Sequence, residues 1–287
     1  MPLVPSLVKD KLFFTFVLVI ISIASVKCFY TLRRIQGRFR EFERLGQTYD
    51  SDPDMALKFV SVAARAKHSA TVIFVHGLGD TGYGWAPIAE MFSRDPALAH
   101  VKWVLPHAPV MPVTANMGAQ MPSWFDIPSF DFKEEDEPGM LKSMRSLNEL
   151  ITTEVDSGIP AERVVLGGFS QGGAMSLLTG LTTERKLGGV VVLSGWLPLR
   201  DKFKVMASDH VKKLPIFWGH GRNDPLVRFQ WGSASEKLGV AEVSQPPPST
   251  RTTGLEFHGY SGVTHSTSEE ELDDLRTWIS KTIPQES

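Results

Sequence analysis

Five residues, Gly168-Phe169-Ser170-Gln171-Gly172, constrain this chain more than any others. They follow the apolar run Val164-Val165-Leu166 and lead into Gly172-Gly-Ala-Met-Ser-Leu-Leu178. A short buried strand is expected to enter a tight turn, and the residues from Gln171 are expected to open a helix. A G-x-S-x-G turn between strand and helix has the form of a nucleophile elbow. The turn is too sharp for larger side chains at the flanking positions, hence the glycines. Its geometry pushes the Ser170 hydroxyl out to where a base and a carbonyl can reach it. Alone, the pentapeptide could equally be a glycine-rich loop with a surface serine. What separates the two readings is whether partners for the serine follow in the order such a site requires.

With 287 residues the chain is long enough to bury a full core in one large domain or two small ones. Its formal charge of −2 argues against a general nucleic-acid binder. The charge is uneven: residues 1–50 hold eight Lys/Arg against four Asp/Glu, a balance of +4, so the remainder carries −6. Cys28 is the only cysteine, so no intrachain disulfide can form, which fits a reducing compartment. The eight histidines are scattered and none has zinc-site spacing with a cysteine. Neither a metal nor a cofactor is expected.

The basic leader has its own character. Leu12 to Val26 is an uncharged apolar run, preceded by Lys9 and Lys11 and followed by Lys27, Arg33, Arg34, Arg38, Arg40 and Arg44. Its length falls short of the ~20 residues of a spanning helix, but extension to Leu32 with Lys27 snorkelling would reach it. The run also suits a signal-peptide core, with Ser22-Ile23-Ala24 as a small-residue cleavage site. Positive flanks stay in the cytosol, which favours an uncleaved anchor with the body on the cytoplasmic face of a membrane. A soluble cytoplasmic protein, or a secreted one if the leader is cleaved, are the alternatives. Cys28 at the membrane edge is either an acylation site or an unmodified cysteine. The expected division is residues 1–52 as leader and basic linker, and residues 53–287 as the folded domain.

In that domain, strand-like runs alternate with amphipathic ones. Strands are expected at Lys58–Ala63, Thr71–Val75, Lys102–Leu105, Val164–Leu166, Val190–Leu193, Ile216–Trp218 and Leu255–Phe257. Helices are expected at Gly84–Ser93, Gly139–Val155, Gly172–Thr182, Phe229–Leu238 and Ser268–Thr282. This order implies an α/β fold with a mostly parallel central sheet flanked by helices. Gln245-Pro-Pro-Pro-Ser-Thr250 reads as a surface loop.

A serine hydroxyl is nearly inert at neutral pH. It needs a base, the base needs an orienting acid, and a developing oxyanion needs donors. After Ser170, Asp224 lies in Gly219-His-Gly-Arg-Asn-Asp-Pro, just beyond the strand Pro215-Ile-Phe-Trp218. His265 lies in Tyr260-Ser-Gly-Val-Thr-His, between the last expected strand and the last helix. Both are in loops beyond strand ends, where open α/β sheets place their sites. Asp224 is expected to accept from one nitrogen of His265, leaving the other to take the Ser170 proton. His220 is too close to Asp224 in sequence and suits a structural hydrogen bond, and His258 is expected to follow the sheet. An alternative for Asp224 is a turn carboxylate capping its own loop. Backbone N–H groups of Gln171 and Leu78 are the expected oxyanion donors. Leu78 belongs to the glycine-rich loop His76-Gly-Leu-Gly-Asp-Thr-Gly82. That loop has neither a G-K-[ST] ending nor G-x-G-x-x-G spacing, so phosphate binding is rejected. Met117, Met121, Trp124, Phe125 and Ile127 form an apolar stretch, with Met117 and Trp124 as acyl-groove candidates or, alternatively, core fillers. His107 is expected to be a structural loop histidine.

These motifs coincide with those of a known family. Phe74-Val-His-Gly-Leu-Gly-Asp-Thr-Gly, Pro106-His-Ala-Pro, Trp124-Phe-Asp, Gly168-Phe-Ser-Gln-Gly-Gly-Ala-Met-Ser, Leu193-Ser-Gly-Trp-Leu-Pro and Gly219-His-Gly-Arg-Asn-Asp-Pro-Leu-Val all match. Over about residues 56–283 the chain resembles the acyl-protein thioesterase/lysophospholipase group of α/β-hydrolases. Gly262-Val-Thr-His265 departs modestly from the family's glycine-rich form before the histidine. The resemblance implies hydrolysis of thioesters on S-acylated proteins, or of lysophospholipid or short-chain esters, without metal or cofactor. It also implies a triad of Ser170, Asp224 and His265, with Leu78 and Gln171 as backbone donors. A different class, an inactive hydrolase fold serving as a lipid-binding or scaffold module, is the alternative; the presence of every required catalytic residue type disfavours it.

Overall fold

A computed structural model describes residues 56–131, 133–232 and 254–286. All of them belong to one unit, Thr48–Ser287. The expected anchor at 12–26, Cys28, the boundary near residue 53 and the proline-rich loop at 245–250 lie outside the described residues. Residues 229–232 are helical, and the rest of the helix expected at 229–238 also lies outside them.

Seven strands make one sheet: β1 (Phe59–Val62), β2 (Ala70–Val75), β3 (Val101–Pro106), β6 (Val164–Phe169), β7 (Gly189–Leu193), β8 (Ile216–Gly221) and β9 (Leu255–Tyr260). Their spatial order is β1-β3-β2-β6-β7-β8-β9. Only β1 runs antiparallel, against β3; the other neighbours are parallel. Between β3 and β6 in the chain, β4 (Val110–Val113) and β5 (Ala119–Pro122) form a separate antiparallel hairpin.

Every residue of β2, β7 and β8 is buried. This is why these strands read as continuous apolar runs and not as alternating ones: both faces of the sheet are covered. The flanking helices are α1 (Gly82–Ser93), α2 (Glu137–Asp156), α3 (Gln171–Thr182) and α4 (Glu269–Thr282). Asp136 caps α2 by accepting from the Gly139 N–H at 3.0 Å. Ser268 caps α4 by accepting from the Glu271 N–H at 3.1 Å. Helix α3 is buried from Gln171 through Leu181, apolar or small on every side, and leans on β6 and β7.

The chain moves outward from β2 to β3 on one side and from β6 through β9 on the other. The reversal therefore falls between β2 and β6, adjacent parallel strands whose carboxyl ends point the same way. That switch point is where open α/β sheets leave a crevice. The loop after β2 begins at His76, and the turn after β6 holds Ser170.

Candidate active site

Ser170 links β6 to α3 with φ 54° and ψ −120°. A positive φ is strained for a residue with a Cβ, at roughly 1–3 kcal/mol, and persists only where the surroundings enforce it. Here the Ser170 N–H donates to Leu193 O at 2.8 Å, and its carbonyl accepts from the Ala174 N–H at 3.0 Å. The flanking glycines are a steric requirement. A Cβ on Gly168 would lie 2.6 Å from the Val75 carbonyl oxygen, and one on Gly172 would overlap the same oxygen. The elbow is thus pressed directly onto the end of β2.

Ser170 Oγ lies 2.8 Å from His265 Nε2. His265 Nδ1 lies 2.7 Å from Asp224 Oδ2. With Nδ1–H donating to the carboxylate, Nε2 is left as an acceptor for the serine proton. The other Asp224 oxygen accepts from the N–H groups of Leu226 and Val227, each at 2.9 Å. The Asp224 side chain is fully buried and that of His265 is 15% exposed. A fixed acid, an oriented imidazole and a wetter serine end follow from this gradient. The ring of His265 also rests on Phe169, with centroids 4.9 Å apart.

The competing histidines are occupied otherwise. His220 Nε2–H donates to Val227 O at 2.8 Å and sits 3.7 Å from Asp224 Oδ2. Burial holds its pKa below the ordinary range, so it buttresses the Asp224 loop as a neutral ring. His258 stacks on Phe217 in the sheet, with centroids 5.0 Å apart. His107 Nδ1 accepts from the Gly82 N–H at 3.1 Å, fastening the start of α1.

The glycine-rich loop after β2 passes against the serine: a Cβ on Gly77 would lie 3.3 Å from the Ser170 Cβ. Leu78 follows directly, and Gln171 opens α3, where the helix dipole favours negative charge. Among the described residues neither of these N–H groups has a protein acceptor. The two acyl-groove candidates separate. Met117 is 83% exposed at the tip of the β4–β5 hairpin, whereas Trp124 is 2% exposed and offers a chain almost no surface. Trp124 packs in the core and donates from Nε1 to His76 O at 2.9 Å. Met121, Phe125 and Ile127 also pack on or in that core. Sequence reasoning did not anticipate the side-chain roles of His76 and Gln171, both fully buried beside the site. Their only sequence signal is position: His76 lies two residues before Leu78, and Gln171 is itself a proposed backbone donor. Among the described residues no group of three or more His, Cys, Asp or Glu side chains could hold a metal ion.

Sheet order, elbow and hydrogen-bonded Ser-His-Asp array together define an α/β-hydrolase. The chain belongs to the phospholipase/carboxylesterase family, whose model matches residues 57–283. An acyl-protein thioesterase 1 of Cryptococcus neoformans var. neoformans serotype D is 48% identical over 237 residues, covering 79% of this chain and 98% of the relative. An acyl-protein thioesterase 1 of Mycosarcoma maydis is 44% identical over 228 residues, covering 76% and 93%. Among solved structures, Arabidopsis thaliana SOBER1 aligns with a TM-score of 0.66 at 35% identity, over 75% of this chain and 99% of that one. Zea mays acyl-protein thioesterase 2 aligns at 0.67 and 27% identity, over 78% and 98%. Family and relatives make the chain a serine hydrolase.

Proposed function

We propose that the protein hydrolyses thioester-linked long acyl chains, such as palmitoyl, on S-acylated proteins, with Ser170 as nucleophile, His265 as general base and acid, and Asp224 as the orienting acid. The observation that carries this reading is the unbroken path Ser170 Oγ to His265 Nε2 and His265 Nδ1 to Asp224 Oδ2, at 2.8 and 2.7 Å. Ser170 Oγ attacks the thioester carbonyl as its proton passes to His265 Nε2. The oxyanion accepts from the Leu78 and Gln171 N–H groups. Collapse expels the cysteine thiolate, which takes the proton from His265. Water then attacks the acyl-serine, again through His265, and releases the fatty acid and free Ser170. The relatives named acyl-protein thioesterase 1 support the thioester assignment.

The family's description as phospholipase/carboxylesterase supports a second reading, in which a lysophospholipid or short-chain ester is the preferred substrate. Parallel turnover of a palmitoylated peptide, a lysophospholipid and a short ester tests the choice. A higher kcat/KM on the peptide is expected; a higher value on either ester overturns the preference.

Residues 12–26 are proposed to anchor the enzyme, with the hydrolase on the cytosolic side. The support is the apolar run and the six cationic residues from Lys27 to Arg44. Among the described residues no helix is long and apolar enough to cross a membrane. Membrane association that survives alkaline washing, and an intact N-terminus by sequencing, are the expected results. A mature N-terminus near residue 25 together with secretion, or a full-length chain in the soluble fraction, would overturn it.

A further inference from the structure

Two buried side chains next to Ser170 have a task beyond packing. His76 Nε2 accepts from the Ala108 N–H at 3.0 Å. The ring proton is therefore on Nδ1, which donates to Gly77 O at 2.7 Å. Gly77 O belongs to the same peptide unit as the Leu78 N–H. In a trans peptide the two point in opposite directions, so holding the carbonyl aims the N–H. Burial drops the His76 pKa to about 4, so the donor is a neutral ring at neutral pH.

Gln171 supplies the other proposed donor through its backbone, and its side chain ties that donor to the first. Its Oε1 accepts from the Trp124 N–H at 3.0 Å, and its Nε2 donates to Phe125 O at 2.8 Å. The Nε2 also donates to Ser123 Oγ at 3.0 Å, whose own proton goes to Phe125 O at 2.6 Å. Trp124 then donates from Nε1 to His76 O at 2.9 Å, one peptide before the Gly77 carbonyl. The path from elbow to oxyanion loop is continuous, buried and fully paired.

We propose that His76 is a positioning residue that aims the Leu78 N–H, and that the Gln171 side chain, acting through Trp124, locks this peptide to the elbow so that both oxyanion donors are held as one unit. The proposal rests on the catalytic reading of Ser170. A network of this kind acts on the transition state and not on the bound ester, because the donors meet full negative charge only after attack.

The test uses the full chain and four variants: His76→Phe, which keeps a ring but removes the donor; His76→Asn, whose amide can replace Nδ1–H; Trp124→Phe; and Ser170→Ala. Steady-state kinetics on a long-chain acyl ester are paired with inhibition by a long-chain trifluoromethyl ketone, whose serine adduct carries an oxyanion. His76→Phe is expected to lower kcat roughly 10–100-fold with KM within about twofold, and to raise the inhibitor Ki by a similar factor. The pH profile of kcat should keep its shape, since Ser170, His265 and Asp224 are untouched. His76→Asn should recover at least part of the kcat loss, and Trp124→Phe should show a smaller drop with the same split. If His76→Phe does not fold, Trp124→Phe carries the test by the same criteria. Unchanged kcat in a folded variant, a kcat loss without a rise in Ki, or no recovery by asparagine would overturn the proposal. Turnover by Ser170→Ala would instead overturn the catalytic reading beneath it.

Discussion

The elbow and the β4–β5 hairpin both border the loop after β2, and they are built on opposite terms. At the elbow, glycines at 168 and 172 are demanded by the backbone of β2, above all the Val75 carbonyl. The hairpin has four residues per strand, carries Val110 and Met117 at 66% and 83% exposure, and is fastened to the loop by the Gly79 N–H to Pro122 O bond at 2.9 Å. The difference fits two jobs. The proposed proton transfer along serine, imidazole and carboxylate tolerates little positional error, which a closely packed, over-determined elbow supplies. The hairpin instead exposes apolar area, and it is proposed to meet an acyl chain or a protein surface.

The largest effects should come from the closely packed region. Ser170→Ala and His265→Ala are each expected to lower kcat by roughly 10⁴–10⁶ while the fold persists, and Asp224→Asn by roughly 10⁴ through loss of imidazole orientation. Kinetics with circular dichroism check this. Comparable loss in folded His220→Ala, with His265→Ala unaffected, would make His220 the base and overturn the assignment of His265. Next in size is Gly172→Ala. Its methyl group has only backbone to displace, so a loss of about 3 kcal/mol or more is expected in urea unfolding, with activity falling as the elbow shifts.

A smaller effect concerns the back of the closely packed region. Glu271 is fully buried and abuts Gly219 on β8, the strand leading to Asp224. Burial pushes its carboxyl up to about 8. Between its unfolded value and about 8, the folded chain holds a proton that the unfolded chain releases. Its contribution to stability is therefore full at low pH and lost as pH rises, at no more than about 1.4 kcal/mol per pH unit. Glu271→Gln should flatten that decline in urea midpoints between pH 5 and 8. An unchanged slope would show that Glu271 does not titrate there.

The smallest effect is expected on the hairpin. Val110→Ser with Met117→Ser should leave turnover of a short ester within about twofold and lower kcat/KM for a long-chain substrate by roughly 3–10-fold, since each exposed apolar side chain offers only part of its burial energy. Equal effects on both substrates would erase the contrast between the regions.

The same contrast explains what could be read from the chain. The central strands were legible because strands covered on both faces leave uninterrupted apolar runs; β1 and β9, at the edges, are mostly half-buried and were read from shorter apolar stretches. Three strands were read three residues too short. Gly167-Gly168, Gly219-His220-Gly221 and His258-Gly259 look like turn sequence, yet they stay in β6, β8 and β9. Those glycines serve close packing within extended backbone: a Cβ on Gly167 would meet Val191 and Phe74. The hairpin was missed because Val110-Met-Pro-Val113 and Ala119-Gln-Met-Pro122 are short and contain proline, with no alternation to mark them. Ser170, Asp224 and His265 were legible because each sits just past a strand end in a fixed order. The His76–Trp124–Gln171 connection was not, because residues separated by some fifty positions meet only after β2 and β6 pair.

Everything proposed for catalysis depends on Ser170 being the nucleophile of the constrained elbow. The direct measurement is reaction of the full-length chain with a fluorophosphonate, followed by peptide mass spectrometry, alongside Ser170→Ala. One adduct is expected, on Ser170, and none in the folded variant. An adduct on another residue, or undiminished labelling of folded Ser170→Ala, would contradict it.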